Sequence, residues 1–201
     1  MATLLYVKSS IFGDHGQSSV MAEQVIQRWQ QANPNGNIVV RDLSVDTPPY
    51  LDGERLTAIM TAASDRTNEQ QAVVDYADAI IDEVMTADAI VMGVPMYNFA
   101  IPAQLKSYFD YLARAGVTFQ YTENGPVGLV NNKPVFLLFA RGGQYQGTAA
   151  DSQTPFLTTL FNFIGLTDIH HVYAEGLNMG DEVKQQALAD AANRIATLPV
   201  A

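Results

Sequence analysis

The chain has 201 residues, of which 48% are hydrophobic and 16% are charged, with 11 Lys plus Arg against 21 Asp plus Glu and no cysteine. The net charge of −10 disfavours nucleic acid and anionic membranes as partners, because phosphate backbones are bound by clustered cations. Without cysteine, disulfides, thiolate catalysis and cysteine-ligated metal sites are excluded, and we expect one cytoplasmic domain over residues 1–201 with no membrane span.

The first part of the chain alternates between β-rich and helical segments. The run Thr3–Val7 predicts a strand, and apolar residues at i, i+4 and i+8 within Met21–Trp29 predict a helix. The β-branched run Ile38–Val40 predicts a second strand. Residues 45–66 show a weak pattern that favours a loop with one short helix. Thr67–Gln70 fits a capping box, in which side chains bind free N–H groups where the next helix begins.

The rest of the chain continues the alternation of strands and helices. Strands are expected at residues 89–94, 134–139 and 169–174, and helices are expected at residues 102–114, 154–164 and 181–198. The strand Ala89–Val94 is apolar without alternation, which is typical of burial on both faces of a parallel sheet. The pattern predicts an α/β three-layer sandwich with a five-stranded parallel sheet. The favoured strand order is the flavodoxin-like 2-1-3-4-5, in which ligands bind beyond the carboxyl ends of the strands.

Three loops at that end of the sheet carry groups that suit a flat, phosphorylated ring. Residues 8–19 bring four serines to the start of a helix, where hydroxyls and free N–H groups bind a phosphate monoester. Pro95–Phe99 combines aromatic side chains with the Asn98 amide, which can both donate and accept hydrogen bonds. Ala140–Gly143 has two glycines, which let backbone N–H groups approach a ring edge. Together the loops match flavin mononucleotide (FMN) in shape and polarity.

Each loop alone also has a purely structural interpretation. Ser18 or Ser19 could cap the helix, the aromatic residues could belong to the core, and the paired glycines could form a plain turn. Neither the glycine pattern of a Rossmann dinucleotide site nor that of a P-loop occurs, which argues against both of those sites. The conjunction of the three loops is what favours the flavin.

At these residues the chain resembles the FMN-dependent NADH-azoreductases, a flavodoxin-like group of dimeric quinone and azo-dye reductases. The matching stretches are Lys8-Ser9-Ser10, Gln17-Ser18, Pro95–Phe99, Ala113–Phe119, Tyr121–Pro126 and Arg141-Gly142-Gly143. The resemblance implies FMN as cofactor, NADH as electron donor, a homodimer, and a quinone or azo compound as substrate. The cofactor-binding residues that it implies are Ser10, Gly16, Gln17, Ser18, Pro95, Met96, Tyr97, Asn98, Phe99, Ala140, Arg141, Gly142 and Gly143. In this chain Gly16 and Ala140 stand where the family has Ser.

The same resemblance implies that NADH reduces FMN by hydride transfer and leaves, after which the acceptor takes its place over the ring. No catalytic side chain is expected, because the flavin performs the chemistry. Phe119, Tyr121 and Phe163 are expected to stack on the substrate across the dimer interface, with core packing as the alternative for Phe163.

The three histidines lack metal-ligand spacing, so we expect no metal site. NADH is preferred to NADPH because cations for a 2′-phosphate are few.

Three other functions share parts of this pattern. The main alternative is a flavodoxin-type carrier of single electrons, which has the same expected fold, acidity and FMN but requires no aromatic wall. The insertion Val117–Asn132, which holds Phe119 and Tyr121, argues against that carrier. A quinone reductase that uses FAD would need an adenine site that these loops do not offer. A flavin-free signalling or phosphatase domain is disfavoured by the aromatic loop Pro95–Phe99.

Overall fold

The computed structural model describes residues 1–200, in which strands and helices alternate along the chain. The strands are β1 (Thr3–Lys8), β2 (Asn37–Asp42), β3 (Ala89–Pro95), β4 (Phe119–Thr122), β5 (Gly125–Gly128), β6 (Val135–Ala140) and β7 (Ile169–Ala174). The α-helices are α1 (Gln17–Ala32), α2 (Gly53–Met60), α3 (Asn68–Thr86), α4 (Ala103–Leu112), α5 (Gln153–Ile164) and α6 (Asp181–Ala196). Short 3₁₀ turns at Gly13–His15 and Ala63–Asp65 precede α1 and α3.

Within residues 1–200, five parallel strands form the central sheet in the order β2-β1-β3-β6-β7. This is the same five-strand parallel arrangement that the sequence predicts, with different numbers because β4 and β5 intervene in the chain. Those two strands pair antiparallel in a separate hairpin, Phe119–Gly128, which the sequence pattern does not predict. Each has only four residues, in which buried and exposed positions do not alternate, so no alternation of apolar and polar residues marks them.

Helices cover the sheet on both faces, which makes the fold a three-layer α/β sandwich. Helices α3, α4 and α5 pack on one face, and α1 and α6 pack on the other. The central strand β3 contributes Ile90, Met92 and Val94 to the first core. It contributes Ala89 and Val91 to the second, which explains why its apolar residues follow one another without alternation. Among the helices within residues 1–200, none has the length and hydrophobicity that a bilayer span requires.

Local sequence signals determine where two helices begin. The predicted capping box is confirmed, since the Thr67 hydroxyl accepts the N–H of Gln70 and the Gln70 side-chain oxygen accepts the N–H of Thr67. The short helix expected within residues 45–66 is α2. It begins after Asp52, whose carboxylate accepts the N–H of Arg55 at 2.9 Å. In both helices a side chain satisfies a backbone donor that the helix itself leaves free.

The hairpin is held against the end of α5 and lies outside the central sheet. Val130, just after β5, donates its N–H to the carbonyl of Ile164 at 3.0 Å. Gly128 lies so close to the end of α5 that an added Cβ would overlap the backbone of Ile164 and Gly165. A residue with a side chain therefore cannot occupy position 128 unless the hairpin or the helix moves.

We expect Gly128→Ala to lower the free energy of unfolding by about 1–3 kcal/mol, the usual cost of adding atoms to a well-packed contact. Urea denaturation followed by circular dichroism measures this change. Gly53→Ala is the matched control, because a Cβ at position 53, at the start of α2, meets open space. Equal unfolding free energies for the two variants would contradict the close contact between the hairpin and α5.

Candidate functional site

An open cleft of about 200 Å³ lies where the carboxyl ends of β1, β3 and β6 meet the start of α1. It is lined by Ser10, Phe12, His15, Gly16, Gln17, Pro95, Met96, Tyr97, Ala140, Arg141, Gly142, Leu177, Asn178 and Lys184. The lining contains residues from all three loops predicted to bind the ligand. The predicted residues Ser18, Asn98, Phe99 and Gly143 are next to this lining in the chain without being part of it. A larger depression of about 670 Å³ near Tyr173 contains none of the predicted residues.

The start of α1 offers unpaired donors to an anion. The helix begins after Gly16, and within residues 1–200 no side chain caps it, so the N–H groups of its first turn have no partner inside the helix. Capping by Ser18 or Ser19 is therefore wrong as the explanation of these serines. The Ser18 hydroxyl is fully buried and has no hydrogen-bond partner among residues 1–200. A buried, unpaired hydroxyl beside the positive end of a helix fits a phosphate group.

Ser10 packs directly against Gly16 in the cleft. The Ser10 side chain is buried, and its hydroxyl accepts the N–H of Phe12 at 3.2 Å and lies 3.5 Å from the Tyr97 hydroxyl. A Cβ added at Gly16 would overlap the Ser10 side chain. Glycine at position 16 therefore provides the space in which the Ser10 hydroxyl lies beside the helix start.

The loop after β3 forms a two-residue turn with unusual backbone angles. Tyr97 and Ala100 exchange both N–H···O bonds at 3.0 Å. Between them, Asn98 (φ 49°) and Phe99 (φ 65°) are the only residues other than glycine with positive φ in residues 1–200. Two successive left-handed residues are typical of a type I′ turn, which Asn tolerates well and Phe poorly. Such strain costs on the order of 1–3 kcal/mol and is concentrated at ligand-binding sites.

The Arg141 side chain points into the protein and leaves only its backbone beside the cleft. It is fully buried, and its guanidinium donates to Gln153 at 3.0 Å, Asp151 at 2.8 Å and Glu175 at 2.9 Å. The same group lies over the Tyr173 ring, 5.1 Å from its centre. Because these partners are internal, the guanidinium is not available as a cation for a ligand.

This buried arginine connects the loops that surround the cleft. Gln153, at the start of α5, donates its side-chain N–H groups to the carbonyls of Pro95 at 2.9 Å and Ala100 at 3.2 Å, at the two ends of the loop after β3. Glu175, after β7, accepts the N–H groups of residues 145–146 at 3.0 Å. The sequence gives no signal for these roles, because they depend on where a buried side chain points.

The glycines after β6 keep backbone donors available. The carbonyls of Gly142 and Gly143 accept N–H groups from Asn178 at 3.0 Å and Gly176 at 2.9 Å. Their own N–H groups have no acceptor in the part of the chain that the structure describes. Two adjacent donors beside an open cleft fit the carbonyl edge of a flavin ring.

One side of the cleft was not predicted from the sequence. Leu177 and Asn178 line it from the loop after β7, and Lys184 lines it from the first turn of α6. The expected strand order places only the loops after the first, third and fourth strands of the sheet at the site. The signal that could have found this side is the position of α6, which packs on the same face as α1 and begins at the same end of the sheet.

Phe119, Tyr121 and Phe163 form one aromatic cluster away from the cleft of their own chain. The ring centres of Phe119 and Phe163 are 4.3 Å apart, and the Tyr121 ring lies edge-on to them at 5.6 and 6.5 Å. Phe119 is buried, whereas Tyr121 is 75% exposed. None of the three lines the cleft. The cluster therefore presents an aromatic surface to the outside of the chain.

The histidines of β7 lie on opposite faces of that strand. The His170 ring is near Phe136, and the His171 ring is near Phe139. Burial lowers the pKa of His171 below its ordinary value of 6.5. Across residues 1–200, no group of three or more histidine and carboxylate side chains is arranged to hold a metal ion.

Comparison with known sequences finds a matching family model and similar relatives that share one name. A family model described as flavodoxin-like fold matches residues 2–198. The chain is 57% identical over 195 residues to a protein of Cellvibrio japonicus named FMN-dependent NADH:quinone oxidoreductase, with 97% of each chain covered. It is 53% identical over 192 residues to a protein of the same name from Alcanivorax borkumensis, covering 96% of this chain and 97% of that one.

Solved structures of azoreductases are similar over nearly the whole chain. An azoreductase from Bacillus anthracis has a TM-score of 0.86 at 32% identity, covering 98% of this chain and 100% of that one. An FMN-dependent NADH-azoreductase from the same species, solved in complex with FMN, has a TM-score of 0.87 at 27% identity, with 98% of each chain covered.

Lowering the pH should weaken the buried ion pair between Asp151 and Arg141. Burial alone would raise the pKa of Asp151, but hydrogen bonds from Arg141 and Thr154 outweigh burial and hold the pKa below its ordinary value of 3.8. The folded state then binds a proton less readily than the unfolded state. The stabilisation is therefore complete above about pH 4 and is lost as the pH falls through the folded-state pKa.

The unfolding free energy of the wild type should therefore fall more steeply below about pH 4 than that of Asp151→Asn. At neutral pH we expect this variant to be about 1–3 kcal/mol less stable, because Arg141 loses a buried charged acceptor. Urea denaturation across the acidic range measures both effects, with the exposed Asp65→Asn as control. Parallel pH curves for wild type and Asp151→Asn would contradict the assignment.

Proposed function

This chain belongs to the flavodoxin-like family of FMN-dependent NADH:quinone oxidoreductases, and from that membership we propose that it passes two electrons from NADH through FMN to quinones. The observation that carries the proposal is the cleft, which lies beside unpaired donors that suit a phosphate and a ring edge. FMN, when bound, supplies the chemistry of accepting and releasing a hydride. Azo compounds are a second class of acceptor, which the similar azoreductase structures support. A carrier of single electrons is not favoured, because the relatives are named as oxidoreductases.

We propose that the phosphate of FMN is bound at the start of α1. The free N–H groups of Gln17 and Ser18 and the unpaired Ser18 hydroxyl are the donors for it, with the Ser10 hydroxyl beside them. Gly16 contributes space rather than a hydrogen bond, because a side chain there would overlap Ser10. Neutral donors and a helix dipole suit a phosphate without a cluster of cations.

We propose that the isoalloxazine ring is bound between the loops after β3 and β6. Pro95–Phe99 would contact the ring, with the Asn98 amide available to its pyrimidine part. The free N–H groups of Gly142 and Gly143 would bind the carbonyl edge, while Ala140 and Arg141 contribute their backbone. Gln153 holds both ends of the first loop, so these groups are fixed before a ligand arrives.

We also propose a homodimer in which each chain supplies an aromatic wall to its partner's cleft. Phe119, Tyr121 and Phe163 do not line the cleft of their own chain, and Tyr121 is the exposed member of the cluster. An exposed tyrosine ring that rests on two further aromatic rings suits stacking on a flat acceptor. Phe119 and Phe163 would then position Tyr121 from behind.

The remaining predictions concern the organisation and setting of the chain. We propose that the chain acts as one domain, because the same sheet strands contribute to both cores. NADH is the proposed donor, since it is the one in the names of the relatives. A cytoplasmic location is proposed from the cysteine-free composition.

The first test is an anaerobic absorbance titration of the FMN-loaded protein with NADH, followed by a quinone. We expect one equivalent of NADH to bleach the visible flavin band and the quinone to restore it. Free FMN at the same concentration is the control, and NADPH tests the choice of donor. Bound flavin that ignores NADH would favour the single-electron carrier, and a protein that binds no FMN would overturn the assignment of the cleft.

Asn98→Gly removes the side-chain amide and leaves the backbone conformation unchanged, because glycine readily adopts the left-handed conformation at φ 49°. We expect the Kd for FMN to rise about tenfold with the loss of a hydrogen bond to the ring. Flavin fluorescence titration measures this Kd. Asn98→Ala should bind more weakly still, since it adds backbone strain. Unchanged FMN affinity and unchanged flavin reduction in Asn98→Gly would remove the amide from the site.

A further inference from the structure

Lys184 is the one lysine or arginine within residues 1–200 whose side chain has neither a hydrogen bond nor an ion pair. It lies in the first turn of α6, is half-buried and lines the cleft. The stem of a lysine is often covered in this way while its ammonium group stays accessible, but here that group has no acceptor among residues 1–200 and lies beside a cleft.

A shortage of acids does not explain the missing partner. The chain has 21 Asp and Glu for 11 Lys and Arg, and its other cations find acceptors. Lys8, for example, lies 2.6 Å from Asp14 and 2.8 Å from Asp42. Asp181 and Glu182 precede Lys184 in the same turn, yet neither forms an ion pair with it, and neither lines the cleft. The ammonium group of Lys184 is therefore available to a ligand.

The position of Lys184 points to the phosphate end of the cleft. Helices α1 and α6 pack on the same face of the sheet, and both begin at the carboxyl ends of the strands. Gly16 and Gln17, at the start of α1, line the same cleft as Lys184. Arg141, the other Lys or Arg of the lining, has its guanidinium engaged by internal acceptors. Lys184 thus brings positive charge where the α1 N–H groups already favour an anion.

We infer that Lys184 is a further cofactor-binding residue, whose ammonium group contacts the phosphate of FMN. This inference rests on the proposed function. The contact is a charge-assisted hydrogen bond, which is stronger than the hydrogen bonds that the neutral donors beside it can form. It also gives a strongly acidic protein a local positive charge that opposes the repulsion of an anionic cofactor.

The test compares the Kd for FMN with the Kd for riboflavin, which is FMN without its phosphate. We expect Lys184→Gln to raise the Kd for FMN about tenfold and to leave the Kd for riboflavin unchanged. Lys184→Arg, which keeps the charge, should retain most of the FMN affinity. The FMN affinity of Lys184→Gln should also depend less on salt concentration than that of the wild type. Apoprotein titrated by flavin fluorescence gives all of these constants.

Arg194→Gln is the matched control, because it removes the same charge from the exposed far end of α6. It should leave both Kd values unchanged. Equal losses for FMN and riboflavin in Lys184→Gln, or no loss for either, would overturn the inference. A raised KM for NADH with unchanged FMN affinity would overturn it too, because Lys184 would then serve the donor. A wild-type protein that binds neither flavin would overturn the proposed function itself.

Discussion

The arrangement of the cleft depends on the buried guanidinium group of Arg141. Removing such a cation from water costs several kcal/mol, and the cost is offset because its donors meet the carboxylates of Asp151 and Glu175 and the amide of Gln153. A satisfied buried network of this kind adds little net stability, and its effect is to specify one geometry. Here Arg141 and its partner Gln153 together link the loops after β3, β6 and β7, which are distant in sequence.

The donors in and next to the cleft are those that remain once this network and the sheet are satisfied. They are the N–H groups at the start of α1, the Ser18 hydroxyl, and the N–H groups of Gly142 and Gly143. In the proposed phosphate site, a chain with a net charge of −10 would therefore rely largely on backbone dipoles. Such donors are fixed by the fold, so they would bind a phosphate without creating a general affinity for polyanions.

Most of the fold, and the loops of the site, could be predicted because the burial of each strand and helix determines the pattern of apolar residues in its sequence. The run Ala89–Val94 lacks alternation since both faces of β3 are covered, and the parallel sheet then dictates which loops meet. The rest could not be predicted, because it depends on contacts between distant residues. The left-handed turn at Asn98–Phe99 is held by Gln153, and the direction of Arg141 is set by partners on α5 and after β7. The short strands of the hairpin lack any periodic pattern.

The hairpin Phe119–Gly128 is attached to the end of α5 and shares no strand pairing with the central sheet. Changes in its length or tip therefore leave the register of the sheet and the groups around the cleft untouched. Mutations there can accumulate independently of those that preserve flavin affinity. If the hairpin carries the aromatic wall, lineages can diversify the acceptors they reduce while the electron-receiving half of the enzyme stays constant.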